Sequence, residues 1–470
     1  MPSELRLRIE SGLANGRVRA NIRRAMDHLV EKRSRAFPDA EERERLRAQG
    51  EGIRAEALAR LPELLEALER ACTANGMQVH WAETPDEANR IVLGILREQG
   101  ASVLIKGKSM VSEEMGLNAF LEAEGIQAVE TDLGELILQL GDERPSHIIA
   151  PAIHKDRYEV AELFGRCFPE LPYREDIEGL TAAAREVMRE RFRSATAGLS
   201  GVNVAVAETG TLCLVENEGN GRLCTSAPDV HIAVTGIEKV IARLDQLPPL
   251  LTLLTRSATG QPVTTYVNLI SGPRRAGERD GPSEVHLILL DNGRSRVYAD
   301  PELRETLGCI RCGACMNHCP IYARLGGHAY GTVYPGPIGS ILEPQLQGLD
   351  RQGELAEAST LCGACAEACP VKIPIPKLLN RLRWEAVRTD RDAPTLAPGS
   401  RRRALPALIW RLWAWVYASP ARYRAAAALA SRLRGLTPRR LGGWTRTRVA
   451  PVPAARPLSR LVEEEGFERE

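Results

Sequence analysis

Across 470 residues, 62 Lys and Arg stand against 61 Asp and Glu, a formal net charge of +1, so no global field steers the chain toward nucleic acid or anionic lipid and any partner must be recognised locally. A 44% hydrophobic fraction over this length exceeds one ordinary core and implies two or three domains. The opening MPSELRLRIESGL lacks the apolar centre and cleavage site of a signal peptide, and Arg or Lys interrupts every long apolar run, so a soluble cytoplasmic protein is expected.

Residues 1–75 read as charged amphipathic helices, with Ile22, Met26, Leu29 and Val30 on one face and Leu58, Leu61, Leu64, Leu65 and Leu68 repeating the pattern. From Met77 short apolar runs alternate with helical stretches: QVHWAE, SVLIKG, AVETD, SHIIAPA, then VNVAVA, TLCLVE and VHIAVTG. That alternation predicts an α/β layer fold with a largely parallel sheet over residues 76–297. Glu208, Thr209 and Gly210 join VNVAVA to TLCLVE as a hairpin, expected on an edge of that sheet. VHIAVTG is expected to run into a helix over IEKVIARLDQL.

After about Val297 the strands stop and a second domain begins, spanning residues 298–390, whose Gly- and Pro-rich centre GGHAYGTVYPGPIGS is expected to be irregular. Beyond Lys377 come a helical stretch, the loop DAPTLAPGSRRR and an aromatic helix, LPALIWRLWAWVY. The chain from about Thr437 reads as flexible, and residues 391–470 make up a helical and flexible C-terminal region.

Of 11 cysteines, seven lie between Cys309 and Cys369, while Cys72, Cys167, Cys213 and Cys224 are scattered and are expected to be small buried hydrophobes. Tight C-x-x-C spacing in a chain of this size points to metal rather than a disulfide framework. The first block, Cys309-Ile-Arg-Cys312-Gly-Ala-Cys315-Met-Asn-His-Cys319-Pro320, is C-x2-C-x2-C-x3-C-P. Three thiolates on one loop bind one iron–sulfur cube, while the fourth points to the other cluster of a pair. Zinc sites want two C-x-x-C pairs, which the third closely spaced cysteine fits poorly.

The second block, Ser359-Thr-Leu-Cys362-Gly-Ala-Cys365-Ala-Glu-Ala-Cys369-Pro370, repeats the pattern with serine in the first position. Cross-ligation gives the first cluster Cys309, Cys312, Cys315 and Cys369, and the second only Cys319, Cys362 and Cys365. Ser359 as an alkoxide, a water or partner group on the open iron, and a three-iron cluster are the open alternatives. The separation of about forty residues between the loops favours a helical ferredoxin module. His318, inside the motif, is read as a neighbour and not a ligand.

Lys106-Gly107-Lys108-Ser109 follows a strand and precedes a helix, where an anion could be received. It is not a Walker A loop, since Ser102 stands where that pattern needs glycine; a Ser109 N-cap beside solvated lysines is the simpler reading. Glu208-Thr-Gly-Thr211 and Glu218-Gly-Asn-Gly-Arg222 sit at strand ends, either as pocket residues or as turns. His147, His154, His231 and His286 are read as structural, and no nucleophile–base pair is legible. Trp410, Trp413 and Trp415 share one helix near Arg402, Arg403 and Arg411, which suggests partner docking, surface lipid contact or packing on its own domain.

GCIRCGACMNHCPIY, YGTVYPGPIGSIL, LCGACAEACPVKIPI and AETGTLCLVENEGNGR together resemble the lactate utilization protein B family over nearly the whole chain. The resemblance implies an N-terminal LUD domain similar in fold to the sugar-phosphate isomerase and CoA-transferase proteins (NagB/RpiA-like), then an α-helical ferredoxin domain with two [4Fe-4S] clusters and a family-specific C-terminal region. It implies the same cluster ligands, Cys309, Cys312, Cys315 and Cys369, and Cys319, Cys362 and Cys365. It further implies an electron-transfer subunit of a system oxidising L-lactate to pyruvate, with a LutA-like cysteine-rich protein and a LutC-like LUD protein as partners. The rival reading is a LUD-domain enzyme acting on an acyl or phosphorylated molecule, with the clusters auxiliary.

Overall fold

Strands buried on both faces read as continuous Val/Ile runs, and the segment Val230–Gly236 is buried along its whole length at the centre of a six-stranded parallel sheet. In this computed structural model, which describes residues 3–387, 404–438, 440, 445 and 449–466, ten strands occur among the described residues. They are β1 (Gln78–Ala82), β2 (Val103–Lys106), β3 (Gln127–Glu130), β4 (Ala197–Gly201), β5 (Val204–Val206), β6 (Thr211–Glu216), β7 (Val230–Gly236), β8 (Val240–Ile241), β9 (Tyr266–Ile270) and β10 (Glu284–Leu290). The parallel sheet has the order β1-β10-β7-β4-β2-β3, with Ile232 of β7 between Leu199 of β4 and His286 of β10.

One face of the sheet is covered by the helices Pro85–Glu98, Met110–Met115 and Leu117–Ala123, which bury Val92, Leu96, Leu117 and Leu121. The other packs on Leu61–Ala74, whose Leu61, Leu64, Leu65, Leu68 and Cys72 form one buried stripe. Before it run the helices Glu4–Ala14, Gly16–Ala36 and Ala40–Ala59. Asn15 and Asp39 cap two of them by accepting from Val18 N and from Glu41 N and Glu42 N. Ile22 and Met26 enter the same core as Met316, Tyr322, Ile341 and Leu378 of the cysteine-rich region. Met1–Gly399 form one compact unit, and Ser400–Glu470 a second, with helices Ala404–Tyr417, Pro420–Arg432 and Leu458–Glu465.

Several expected elements differ. The VNVAVA–TLCLVE hairpin forms, but it belongs to a separate four-stranded sheet, β8-β5-β6-β9, and not to an edge of the parallel one. IEKVIARLDQL holds two single-turn 3-10 segments around the short β8 instead of a helix, because Val240 and Ile241 pair with Ala205 and Val206. SHIIAPA is a buried loop: His147 Nδ1 accepts from Ile149 N and Ala150 N, curling the chain out of any ladder. The Gly/Pro-rich centre yields a helix, Gly336–Gln347, with Pro337 in its first turn, where a missing N–H costs nothing. Cys72, Cys213 and Cys224 are buried as expected, but Cys167, at a helix C-terminus, is exposed. DAPTLAPGSRRR, with Arg402 and Arg403, lies outside the described residues, as does part of the chain beyond Thr437, where Leu458–Glu465 is helical.

Candidate iron–sulfur centre

The two cysteine loops share one backbone path. Arg311 and Gly313 take left-handed conformations (φ 59° and 75°), as do Leu361 and Gly363 (φ 56° and 87°). Each loop then opens a short helix, Ala314–Asn317 or Ala364–Ala368, with Met316 N donating to Gly313 O and Ala366 N to Gly363 O, both at 2.9 Å. At Gly313 a Cβ would approach His147 Cε1 to 3.1 Å, so the left-handed turn also lets the buried 146–151 loop lie against the first cysteine loop.

Around these loops the seven cysteines fall into two groups. Cys309, Cys312, Cys315 and Cys369 line one small cavity, walled by Ile148, Ile310, Ile338, Val371, Ile373 and Ile375. Cys319, Cys362 and Cys365 lie close enough to one another to interact electrostatically, with Tyr330 beside Cys319. Cys319 and Cys365 are buried, whereas Cys362 is exposed. Among the described residues, no three His, Cys, Asp or Glu side chains stand close enough to share a single ion; the four thiols instead surround a volume, as a polynuclear group requires. His318 is not in either group; its Nδ1 bonds Ala314 O at 2.9 Å.

Burial, reinforced by neighbouring cysteines, pushes Cys312 up to about 12 and Cys365 and Cys369 up to about 11. Exposed Cys362 is instead lowered, by the Ala364 N–H and the Thr360 hydroxyl. Buried thiols crowded like this lose their protons together only against compensating positive charge, so the donor set fits a metal-bearing group. Backbone N–H groups already point at sulfur: Arg311 N to Cys309 Sγ (3.3 Å), Tyr322 N to Cys319 Sγ (3.5 Å) and Ile373 N to Cys369 Sγ (3.3 Å).

A cationic collar, absent from the sequence reading, surrounds the four-thiol cavity. Arg33 lies near Cys312 and Cys369, Arg47 near Cys369, and Arg54, Lys239 and Arg311 near Cys309. Three of these come from the N-terminal helices and grip loop carbonyls. Arg33 Nη2 donates to Ala368 O (3.0 Å), Arg47 Nε to Cys369 O (2.9 Å), and Arg54 to Glu238, Val240, Leu307 and Gly308 oxygens. No local spacing in the sequence marks these arginines.

The other candidate residues serve the scaffold. Ser109 Oγ caps its helix at Ser112 N, but the adjacent lysines are not solvated: Lys106 pairs with Glu130 and Glu113, and Lys108 with Glu135. Neither lysine is free for an anion, and the nearby cavity of about 490 Å3 is lined by Glu113, Glu122, Glu130, Glu135 and Glu143 with Arg144. Glu208 and Glu218 accept from Leu244 N and Leu133 N, and Glu216 accepts from Gly221 N and Arg222 N; the first strand-end motif is a turn, whereas the second leads into the helix Asn220–Ser226. His154 bonds Glu143 and His286 stacks on His80. A serine–histidine pair does exist, Ser200 Oγ to His231 Nε2 at 2.8 Å, but both residues are fully buried.

Residues 305–373, which hold both cysteine loops, match the 4Fe-4S dicluster domain family, and the chain is an iron–sulfur protein in which a mixed α/β domain precedes the cluster-binding region. Residues 65–290 match the LUD domain family and residues 381–467 match lactate utilisation protein B, C-terminal. The chain belongs to the lactate utilization protein B family: it is 43% identical to lactate utilization protein B of Bacillus velezensis over 82% of its length and 81% of that protein's. It is also 43% identical to the uncharacterized electron transport protein YkgF of Escherichia coli (81% and 80% covered), and 40% identical to lactate utilization protein B of Shouchella clausii (95% and 94%). A solved DUF162 family protein from Deinococcus radiodurans aligns with 49% of this chain and 98% of its own, at 16% identity and a TM-score of 0.28.

Proposed function

We propose that the chain is the iron–sulfur electron-transfer subunit of a multi-protein system that oxidises L-lactate to pyruvate. The observation that carries this reading is the sorting of seven thiols into a group of four, of which only Cys309 is partly exposed, and a group of three that includes the exposed Cys362, the division that cross-ligation between two loops requires. Cys309, Cys312, Cys315 and Cys369 would hold one [4Fe-4S] cluster, and Cys319, Cys362 and Cys365 a second whose fourth position is not cysteine. Such clusters, once bound, supply reversible one-electron transfer near protein potentials set by their surroundings.

The chain's own residues do the rest. The isoleucine and valine walls keep water from the four-thiol cavity, the backbone N–H groups and the cationic collar offset sulfur charge, and exposed Cys362 brings the second site to the surface for a partner. The relatives' names support lactate as the electron source; a LutA-like cysteine-rich protein and a LutC-like LUD protein as companions, in the cytoplasm, belong to the same proposal. The parallel sheet supports a NagB/RpiA-like LUD domain over residues 76–297, after N-terminal helices at 1–75 and before a helical ferredoxin domain at 298–390 and a C-terminal region at 391–470. The predominantly acidic lining of the strand-end cavity, and the pairing of Lys106 and Lys108 with carboxylates of that lining, disfavour the rival reading of an enzyme for acyl or phosphorylated anions.

The test is anaerobic preparation with iron and sulfide analysis and paramagnetic resonance, alone and with the partners. About eight irons per chain, or about seven with a three-iron second cluster, are expected, with reduction by lactate only when partners are present. Reduction of the isolated chain by lactate would overturn the division of labour.

A further inference from the structure

The second compact unit carries a feature that electron transfer through thiol-bound clusters does not use. Among the described side chains of its helix Ala404–Tyr417, large apolar ones are exposed along its length: Leu408 64%, Ile409 56%, Trp410 65%, Leu412 61%, Trp413 50% and Trp415 57%. The next helix, Pro420–Arg432, and the turn after it add exposed Leu429, Leu433 and Leu436. The aromatic rings hold one another, Trp413 stacked on Tyr417 (4.4 Å) and Tyr417 against Tyr423 (5.2 Å), so the two helices present a preformed apolar surface. Lone exposed hydrophobes need no explanation; a contiguous row of tryptophans and leucines does.

The charge of this region is one-sided. Between Asp392 and Glu463 lie fourteen arginines and neither a lysine nor a carboxylate, in a chain whose overall charge is +1. Arg422 stacks over Trp415 at 4.6 Å, joining the cationic and aromatic elements. A nucleic acid would match the arginines but leave contiguous Leu and Ile uncovered. An acidic protein groove would match both only with an apolar floor of equal length. An anionic bilayer surface satisfies both at once, since tryptophan and tyrosine favour the headgroup level, leucine the acyl boundary and arginine the lipid phosphates. The first helix, fourteen residues and about 21 Å long, is shorter than the ~30 Å apolar core it would have to cross, and no described helix is long and apolar enough to span a membrane.

We propose that the helical pair Ala404–Arg432 is a peripheral docking surface for anionic lipid, on which it lies flat with Trp410, Trp413 and Trp415 at the headgroup level and its arginines against the lipid charges. The proposal is independent of the cluster assignment, because it concerns a different unit and other residues.

The full-length protein is floated with vesicles of phosphatidylcholine alone and of phosphatidylcholine mixed with phosphatidylglycerol. Binding to the mixed vesicles, weakened by salt and accompanied by a blue shift of tryptophan emission, is expected. Trp410→Ala/Trp413→Ala/Trp415→Ala abolishes it, and Arg411→Gln/Arg422→Gln/Arg424→Gln weakens it by about a hundredfold, with iron content and far-ultraviolet dichroism unchanged in both. Equal binding to neutral vesicles, no binding to either, or retention on heparin or RNA that the tryptophan variant leaves intact would each overturn the proposal, as would concentration-dependent self-association that buries the same tryptophans.

Discussion

Ser359 occupies, in the second loop, the place that Cys309 occupies in the first: its Oγ accepts the Leu361 N–H at 3.1 Å, as Cys309 Sγ accepts the Arg311 N–H at 3.3 Å. The proposed cross-ligation would therefore use this hydroxyl's corner for the group that completes the Cys319, Cys362 and Cys365 set, and Arg383 anchors the Ser359 backbone by donating to its carbonyl O at 3.0 Å. Ser359→Cys is expected to slow iron loss to a chelator in air, and Ser359→Ala to hasten it, since a thiolate holds iron more firmly than a hydroxyl or water. Identical release from the three proteins would show that the fourth position is not filled from this corner.

Arg47 places positive charge beside Cys369 while bonding Cys369 O and Ala366 O. Reduction adds negative charge, so a nearby guanidinium stabilises the reduced level and raises the potential. Arg47→Gln should lower the midpoint of the cluster proposed for the four-thiol group in a redox titration followed by paramagnetic resonance, whereas Arg47→Lys should retain it. A midpoint unchanged in Arg47→Gln at full iron content would remove Arg47 from the tuning of this site.

Spacing made the cysteine blocks legible, because a tight metal-binding loop is written in consecutive residues and a parallel sheet in short apolar runs. What stayed hidden depends on residues far apart in the chain. Arg33 meets Ala368 and Arg47 meets Cys369 across more than three hundred positions, and no local pattern announces such a grip. The β5–β6 hairpin was readable, but not the sheet it joins, because β8 and β9 decide that. SHIIAPA has the composition of a strand, yet His147 satisfies two backbone donors with its own ring nitrogen and Ser146 O accepts from Tyr322, so side chains replace the ladder. Buried pairing of Lys106 and Lys108 was equally illegible, since charged residues at a strand end read as solvated.

His231 links pH to stability. Burial, with His286 nearby, holds its imidazole down at about 3, while the unfolded chain titrates near 6.5. Between these values the unfolded state binds the extra proton, so stability rises with pH up to about 6.5 and is lost as pH falls below it. Going from pH 7 to pH 5 should cost about 2 kcal/mol through this residue. His231→Gln, which can still bond Ser200 but does not titrate, is less stable at pH 7 by an amount that shrinks toward pH 5. Urea midpoints of both proteins at the two pH values check this; a constant gap would mean that His231 does not titrate as a buried neutral group.

Two glycines should respond in opposite directions to the same methyl group. Gly198 of β4 lies under the helix Asn220–Ser226, where an added Cβ would fall 2.0 Å from Cys224 O and 3.0 Å from Pro228 Cγ. Neither is a flexible side-chain end, so Gly198→Ala must push the helix off the sheet and should destabilise the protein by about 3 kcal/mol. Gly94, inside Pro85–Glu98, has nothing within 4 Å of the same atom. Gly94→Ala gains helix propensity and restricts the unfolded chain, and should stabilise by about 0.5–1 kcal/mol. Thermal or urea denaturation of the two variants separates the cases: losses of similar size in both would show that backbone approach between β4 and the 220–226 helix is not what demands glycine at 198.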